Sequence, residues 1–215
     1  MKPLPLCAIA ALLSLVGAAS AATITITNTI TVAAGATYDG HGNTIKAVGM
    51  GNGGQGESQK PFFNIKSGGT VKNVILAAPG VDGIHFVGTS GTVDNVVWQD
   101  IGEDAITVKS PGGTHLLSNS TGNQAADKFQ QCNAPDTWTM TNVTSNVSGK
   151  CLRQNGGTTF KCNFYFNNYT SIKAKEAIGR TDSSTTRFHY HNLKVSGFGG
   201  SKGWWYGRDS QASAY

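Results

Sequence analysis

A repeat of 22 residues runs through the middle of this chain. TVKNVIL at 70–76 returns as TVDNVVW at 92–98, with Thr, Val, Asn and Val in matching places. DGIHFVG at 82–88 returns as DAITVKS at 104–110 at the same interval, Asp82 over Asp104 and Ile84 over Ile106. Asp127 follows Asp104 by 23 residues, and Lys150 follows Lys128 by 22. Short β-segments recurring at this spacing point to a stacked solenoid, because three short strands and three turns consume about that many residues.

The rest of the chain agrees. Strand-like runs such as TITITNTITV, FFNIK, WTMTNVT, TFKCNFYF and RFHYHNLKV alternate with Gly, Asn and Ser turns, and almost nothing resembles an amphipathic helix. The expected architecture is all-β, a single-domain right-handed parallel β-helix of seven to eight coils. Ile65, Ile84, Phe86, Ile106, Val108 and Phe129 should point inward and stack between coils. Asn73, Asn95, Asn119 and Asn142 suit a turn ladder in which side-chain amides satisfy turn backbone groups. The stack needs covering at its ends. TITITNTITV should begin the first coil, and GFGGSKGWWYGRDSQASAY should lie along or over the last, with Trp204 and Trp205 closing it or stacking on sugar.

Residues 1–21 read as a secretory leader: Lys2, a short apolar core, then small residues at Ala19, Ser20 and Ala21. The expected mature domain is 22–215, exported and monomeric, with no other run long enough to enter a membrane. Without Lys2 it has 16 basic against 12 acidic side chains. A net charge near +4 suits an anionic partner. No Lys/Arg cluster or basic helix speaks for nucleic acid, which leaves an acidic polysaccharide. Cys132, Cys151 and Cys162 remain beyond the leader, an odd number that allows at most one internal bridge. Sequons stand at Asn119, Asn142, Asn146 and Asn168.

Stacking gives the charges a pattern. Residues one period apart lie about 4.8 Å above one another in a parallel solenoid. Asp82, Asp104 and Asp127 should form a row beside Glu103, with Lys128 and Lys150 continuing one residue over and Arg153 near the same edge. Clustered carboxylates are the hard-oxygen donors that Ca²⁺ prefers. The alternative is a solvated acid row neutralised by Lys109 and Lys128. Zinc does not fit, because His41, His85, His115, His189 and His191 lack suitable partners in the sequence; His189 and His191 share a strand face and suit surface packing. Flanking cations should lower the pKa of Lys128 and free it as a base, while Arg153 can grip a carboxylate through two parallel hydrogen bonds.

DGIH, GEDA, DK and GKCLR, in this order and spacing, resemble polysaccharide lyase family 3, the compact single-domain pectate lyases. QGESQKPFF at 55–63 resembles that family's Gln-x-Glu-x-x-Lys-Pro segment. The likeness runs from about Gln55 to Gly157, and five short motifs in register are far more specific than any one. It implies a parallel β-helix and Ca²⁺-dependent β-elimination on polygalacturonate. It puts Asp82, Glu103 and Asp104 on calcium and Lys128, Lys150 and Arg153 around the scissile uronate, with Asp127 and Glu57 lining the same cleft. Departures stand at Gly102, Phe86 and Asn155, where cysteines are common in the family, and at Cys132, where His is common. They bear on the family's disulfides and on one wall of the cleft.

The implied chemistry is removal of the C5 proton of a galacturonate, followed by loss of the C4 oxygen to leave a 4,5-unsaturated sugar. Calcium would neutralise the substrate carboxylate, Lys128 would take the proton, and Lys150 and Arg153 would hold carboxylates. A neutral amine base implies an alkaline optimum. Two other readings share the fold. A β-helical polygalacturonase would use its acids for hydrolysis, and a non-catalytic calcium-bound solenoid would bind pectin without needing Lys128.

Overall fold

The computed structural model describes residues 21–109, 113–206 and 211–215, so the leader, but for Ala21, lies outside the described residues. Among the described residues, nineteen strands wind into a parallel β-helix of about eight turns. Every strand pairing in it is parallel. The 22-residue repeat is the ladder register itself: Thr70 pairs Thr92, Val71 pairs Val93 and Leu76 pairs Trp98. Later coils are longer. Met140 pairs Phe166 and Phe166 pairs Tyr190, with the added residues taken up between the strands.

The six expected inward residues are all fully buried. Burial of each large side chain contributes about 1.5–3 kcal/mol. The filling changes along the stack. Lower coils mix aliphatics with Phe62, Phe63 and Phe86, the middle places Trp98 edge-on to Phe129 at 5.6 Å, and upper coils stack Phe164 on Phe188 at 5.6 Å. Gly122 makes the middle arrangement possible: a Cβ there would sit 2.4 Å from the Phe129 ring. Trp205 closes the aromatic column, 5.1 Å from Phe188 and 5.6 Å from Tyr190, whereas Trp204 is exposed. The C-terminal segment thus adds the last coil through Trp205–Tyr206 and Ala212–Ala214, with 207–210 outside the described residues.

The asparagine ladder is present and longer than expected. Asn73, Asn95, Asn119, Asn142, Asn168 and Asn192 all take a left-handed turn conformation, φ between 48° and 56°. Asparagine tolerates that region because its short amide can bond locally. Four of the six donate from Nδ2 to the Oδ1 of the asparagine one coil below, as from Asn95 to Asn73 at 2.8 Å and from Asn192 to Asn168 at 2.9 Å, and Asn73 at the bottom donates to Asp39. The chain of amides breaks once, where Asn119 donates to Asp94 instead.

Candidate active site

The site lies where two turns carry acids up to the start of a strand. Gly83 of DGIH has φ +53°, and a Cβ on it would fall 2.2 Å from the Ala105 carbonyl oxygen. Glycine therefore lets the coil carrying Asp82 seat against the coil carrying Asp104. Ile84 pairs Ile106 just beyond, which stacks the two acids as the repeat implied.

One step higher the register differs from expectation. The strand Thr121–Cys132 is irregular between Ala125 and Lys128, so Lys128, not Asp127, pairs with Asp104. The column runs Asp104, Lys128, Lys150, Ala177. Asp127 is displaced sideways and bridges the two lysines, accepting from Lys128 Nζ and from Lys150 Nζ at 2.6 Å each. A second column on this face runs His85, Thr107, Gln131, Arg153, Arg180, Tyr206.

Glu57, Asp82, Glu103, Asp104, Lys109 and Lys128 line a cleft of about 190 Å³. Its acids crowd one another. Burial pushes the Asp104 carboxyl up to about 7; Lys128, 3.4 Å away, opposes this, and Glu103, Asp127 and Asp82 reinforce it. Glu103 is also raised, by burial first and then by Glu57 and Asp82. Asp127 is lowered, since hydrogen bonds from its two lysines outweigh burial.

Lys128 corrects an expectation. Burial would lower its pKa, but Asp104, Asp127 and Glu103 overcome that and hold it above the usual value. The sequence points to cations as the control on this amine; in the metal-free protein the carboxylates control it.

The donor set suits a hard divalent cation. Asp104 Oδ1 is buried with no hydrogen-bond partner, and Glu103 and Asp82 face the same cleft. Among the described residues no three potential ligands form a ready cage. The open arrangement leaves coordination sites for water and for substrate oxygens, as Ca²⁺ with its six to eight ligands allows.

Above the acids, Lys150 Nζ also reaches Glu176 at 2.9 Å, and Arg153 Nη2 donates to Asp182 at 2.8 Å. Arg153 Nη1 is buried and unpartnered. His85, Glu176 and Asp182 were not among the sequence candidates. His85 Nε2 lies 3.1 Å from Asp82, against the expectation that the histidines lack partners. The DGIH spacing could have revealed that contact. Glu176 and Asp182 could not be placed from the repeat, because Lys150 pairs Ala177 across a coil longer than 22 residues.

The model of the pectate lyase family matches residues 15–202. The chain belongs to that family. Pectate lyase H of Emericella nidulans is 30% identical over 149 residues, 66% of this chain and 56% of that protein. The probable pectate lyase D of the same fungus is 28% identical over 68% of this chain and 54% of its own length. The chain thus spans about half the length of the curated relatives it matches. A pectate lyase from Pectobacterium carotovorum superposes with a TM-score of 0.63 at 20% identity, over 86% of this chain and 67% of that one. The catalytic domain of an Erwinia chrysanthemi pectate lyase gives 0.57 at 22%, over 90% and 97%. These two structures agree with the fold.

Proposed function

We propose that the protein is a secreted, Ca²⁺-dependent pectate lyase that cleaves polygalacturonate by β-elimination. The observation that carries this reading is the stacking of Asp82 and Asp104 beneath Lys128 and Lys150, with Arg153 on the adjoining column. Asp82, Glu103 and Asp104 would hold the cation. When bound, it would supply positive charge against the substrate carboxylate and against the acids that keep Lys128 protonated.

The side chains divide the remaining work. Lys128 is buried enough to lose its charge once the surrounding acids are neutralised, and its Nζ is the base for the C5 proton. Arg153, held by Asp182 at 2.8 Å, offers its planar guanidinium to a carboxylate rather than removing a proton. Lys150 is fixed by Asp127 and Glu176, and it adds a second positive charge where the uronate carboxylate gathers electron density. Glu57 lines the same cleft beside Glu103 and would contact sugar. Mature chain 22–215 is the working unit in this proposal, acting as a monomer outside the cell; among the described residues no helix is long and apolar enough to cross a membrane.

The test is ultraviolet absorbance of unsaturated uronate on polygalacturonate at alkaline pH, with Ca²⁺ and then with EDTA. A rise that EDTA abolishes supports the proposal, and Lys128→Ala should then lose at least about a hundredfold in kcat, the usual scale for a general base. New reducing ends without absorbance would mean hydrolysis. Pectin binding with no product would leave a calcium-bound solenoid.

A further inference from the structure

Asparagine followed by glycine occurs twice in the chain, at Asn52–Gly53 and Asn155–Gly156. In this pair the next backbone nitrogen attacks the side-chain amide most readily, because glycine carries no side chain to block the approach. The structure treats the two differently. At the first, Gly53 N–H donates to Gln59 Oε1 at 2.8 Å, and Asn52 Oδ1 accepts from Gly54 N–H at 2.9 Å. Gln59 is itself buried and donates back to the Gly54 carbonyl. Attacking nitrogen and target amide are both held.

At the second, both are free. Asn155 opens a four-residue turn in which its carbonyl oxygen accepts from Thr158 N–H at 3.3 Å, with Gly157 at φ +70° in the third position. Asn155 and Gly156 are exposed. Among the described residues, neither the Asn155 side-chain amide nor the Gly156 N–H makes a hydrogen bond. The turn also borders the candidate active site. Asn155 lines the cleft with Glu57, Glu103 and Lys128. Gly157 N–H donates to the same Asp182 oxygen that holds Arg153, and a Cβ on Gly156 would meet Arg153 Nη2 at 2.9 Å.

We propose that Asn155 is a site of spontaneous deamidation, which adds a negative charge to the acid cleft and slows the protein as it ages. Gly156 N gives its proton to hydroxide and bonds to Asn155 Cγ. The Cγ–Nδ2 bond breaks, and the amide nitrogen leaves as ammonia with a proton from water, which regenerates the hydroxide. Water then opens the cyclic imide at either carbonyl, giving aspartate or an isoaspartate whose backbone is one methylene longer. Either product sets a carboxylate among acids that already crowd one another, where it repels uronate and competes for Arg153. Isoaspartate also lengthens the turn that steadies Asp182. The chemistry at Asn155 stands apart from the lyase reading; its effect on turnover rests on that reading.

The test ages the intact protein at alkaline pH and maps amide-to-acid conversion in its peptides by mass spectrometry, beside a sample unfolded in guanidinium. In the folded protein Asn155 should convert about tenfold faster than Asn52, the scale of the hydrogen bonds that must open first at Asn52. Unfolding should bring the two rates together. Equal rates in the folded protein, Asn52 ahead, or no conversion at Asn155 overturns the proposal. Turnover of polygalacturonate should fall in step with conversion, and should hold in aged Asn155→Gln, whose longer side chain closes an imide ring far more slowly. Asn155→Asp should raise KM about tenfold when freshly made, the scale of one added charge a few ångströms from another at a protein surface. Conversion with turnover intact refutes the effect on the cleft. If fresh wild type makes no unsaturated product, the lyase reading fails and the peptide map decides the modification alone.

Discussion

Replacing Asp104 by asparagine should stabilise the metal-free protein and abolish its stabilisation by calcium. Asp104 is 5% exposed and its carboxyl titrates near 7 instead of 3.8. At 1.36 kcal/mol per pH unit, the difference is about 4 kcal/mol. The folded state holds this proton more tightly than the unfolded chain does. The favourable contribution is therefore complete below about pH 4, and it is lost as pH rises through about 7. At about pH 8 the ionised carboxylate opposes folding. Asp104→Asn removes that charge, although Lys128 gives up its partner at 3.4 Å, so we expect a net gain of roughly 1–3 kcal/mol. For a chain of this size that raises Tm by about 2–12 °C. Thermal unfolding in EDTA at about pH 8 and again at about pH 5 reads the effect, which should shrink in acid as Asp104 takes up its proton. Ca²⁺ at a hundredfold excess over Kd should stabilise the wild type by about 2.7 kcal/mol and so raise its Tm, and leave the variant unmoved. A variant less stable than wild type in EDTA at the higher pH, or one that calcium still stabilises, would refute the argument.

Two further outcomes test the packing. Trp205→Ala should remove the closing ring of the aromatic column and lower stability by about 3 kcal/mol, visible as a Tm drop of roughly 6–12 °C; a change within error would show that the upper core does not depend on its cap. Cys132, Cys151 and Cys162 are buried free thiols, with Cys132 and Cys162 sulfurs 3.7 Å apart and burial raising the pKa of Cys132 and Cys151. They should stay silent to a thiol reagent in the native protein and all three react once it is unfolded. Recovery of one thiol instead of three, without reductant, would reveal a bridge between Cys132 and Cys162.

The acids and cations of the site were legible as residue types at a repeat interval, and Asp82 with Asp104 stacks as that interval requires. Asp127 and Lys128 were not legible in order. Their difference is one residue of irregularity between Ala125 and Lys128, and the sequence carries no mark of which of two adjacent polar residues the strand will turn toward its neighbour. The charge state of Lys128 escapes the sequence for the same reason: it depends on Asp104 lying beneath the amine, which follows only from the corrected register.

The sequence alone determined the parallel β-helix, its inward residues and the asparagine turns. Each coil contacts mainly its two neighbours, so a constant period converts directly into contact. Tertiary structure decided the rest. Coils longer than the period carry Glu176, Asp182 and Arg180 to positions that counting cannot reach, and they join Lys150, Arg153 and Tyr206 into one charged surface. That placement is set by how the extra residues fold between the strands and by the ladder hydrogen bonds that fix register on either side, and neither is written as a spacing in the chain.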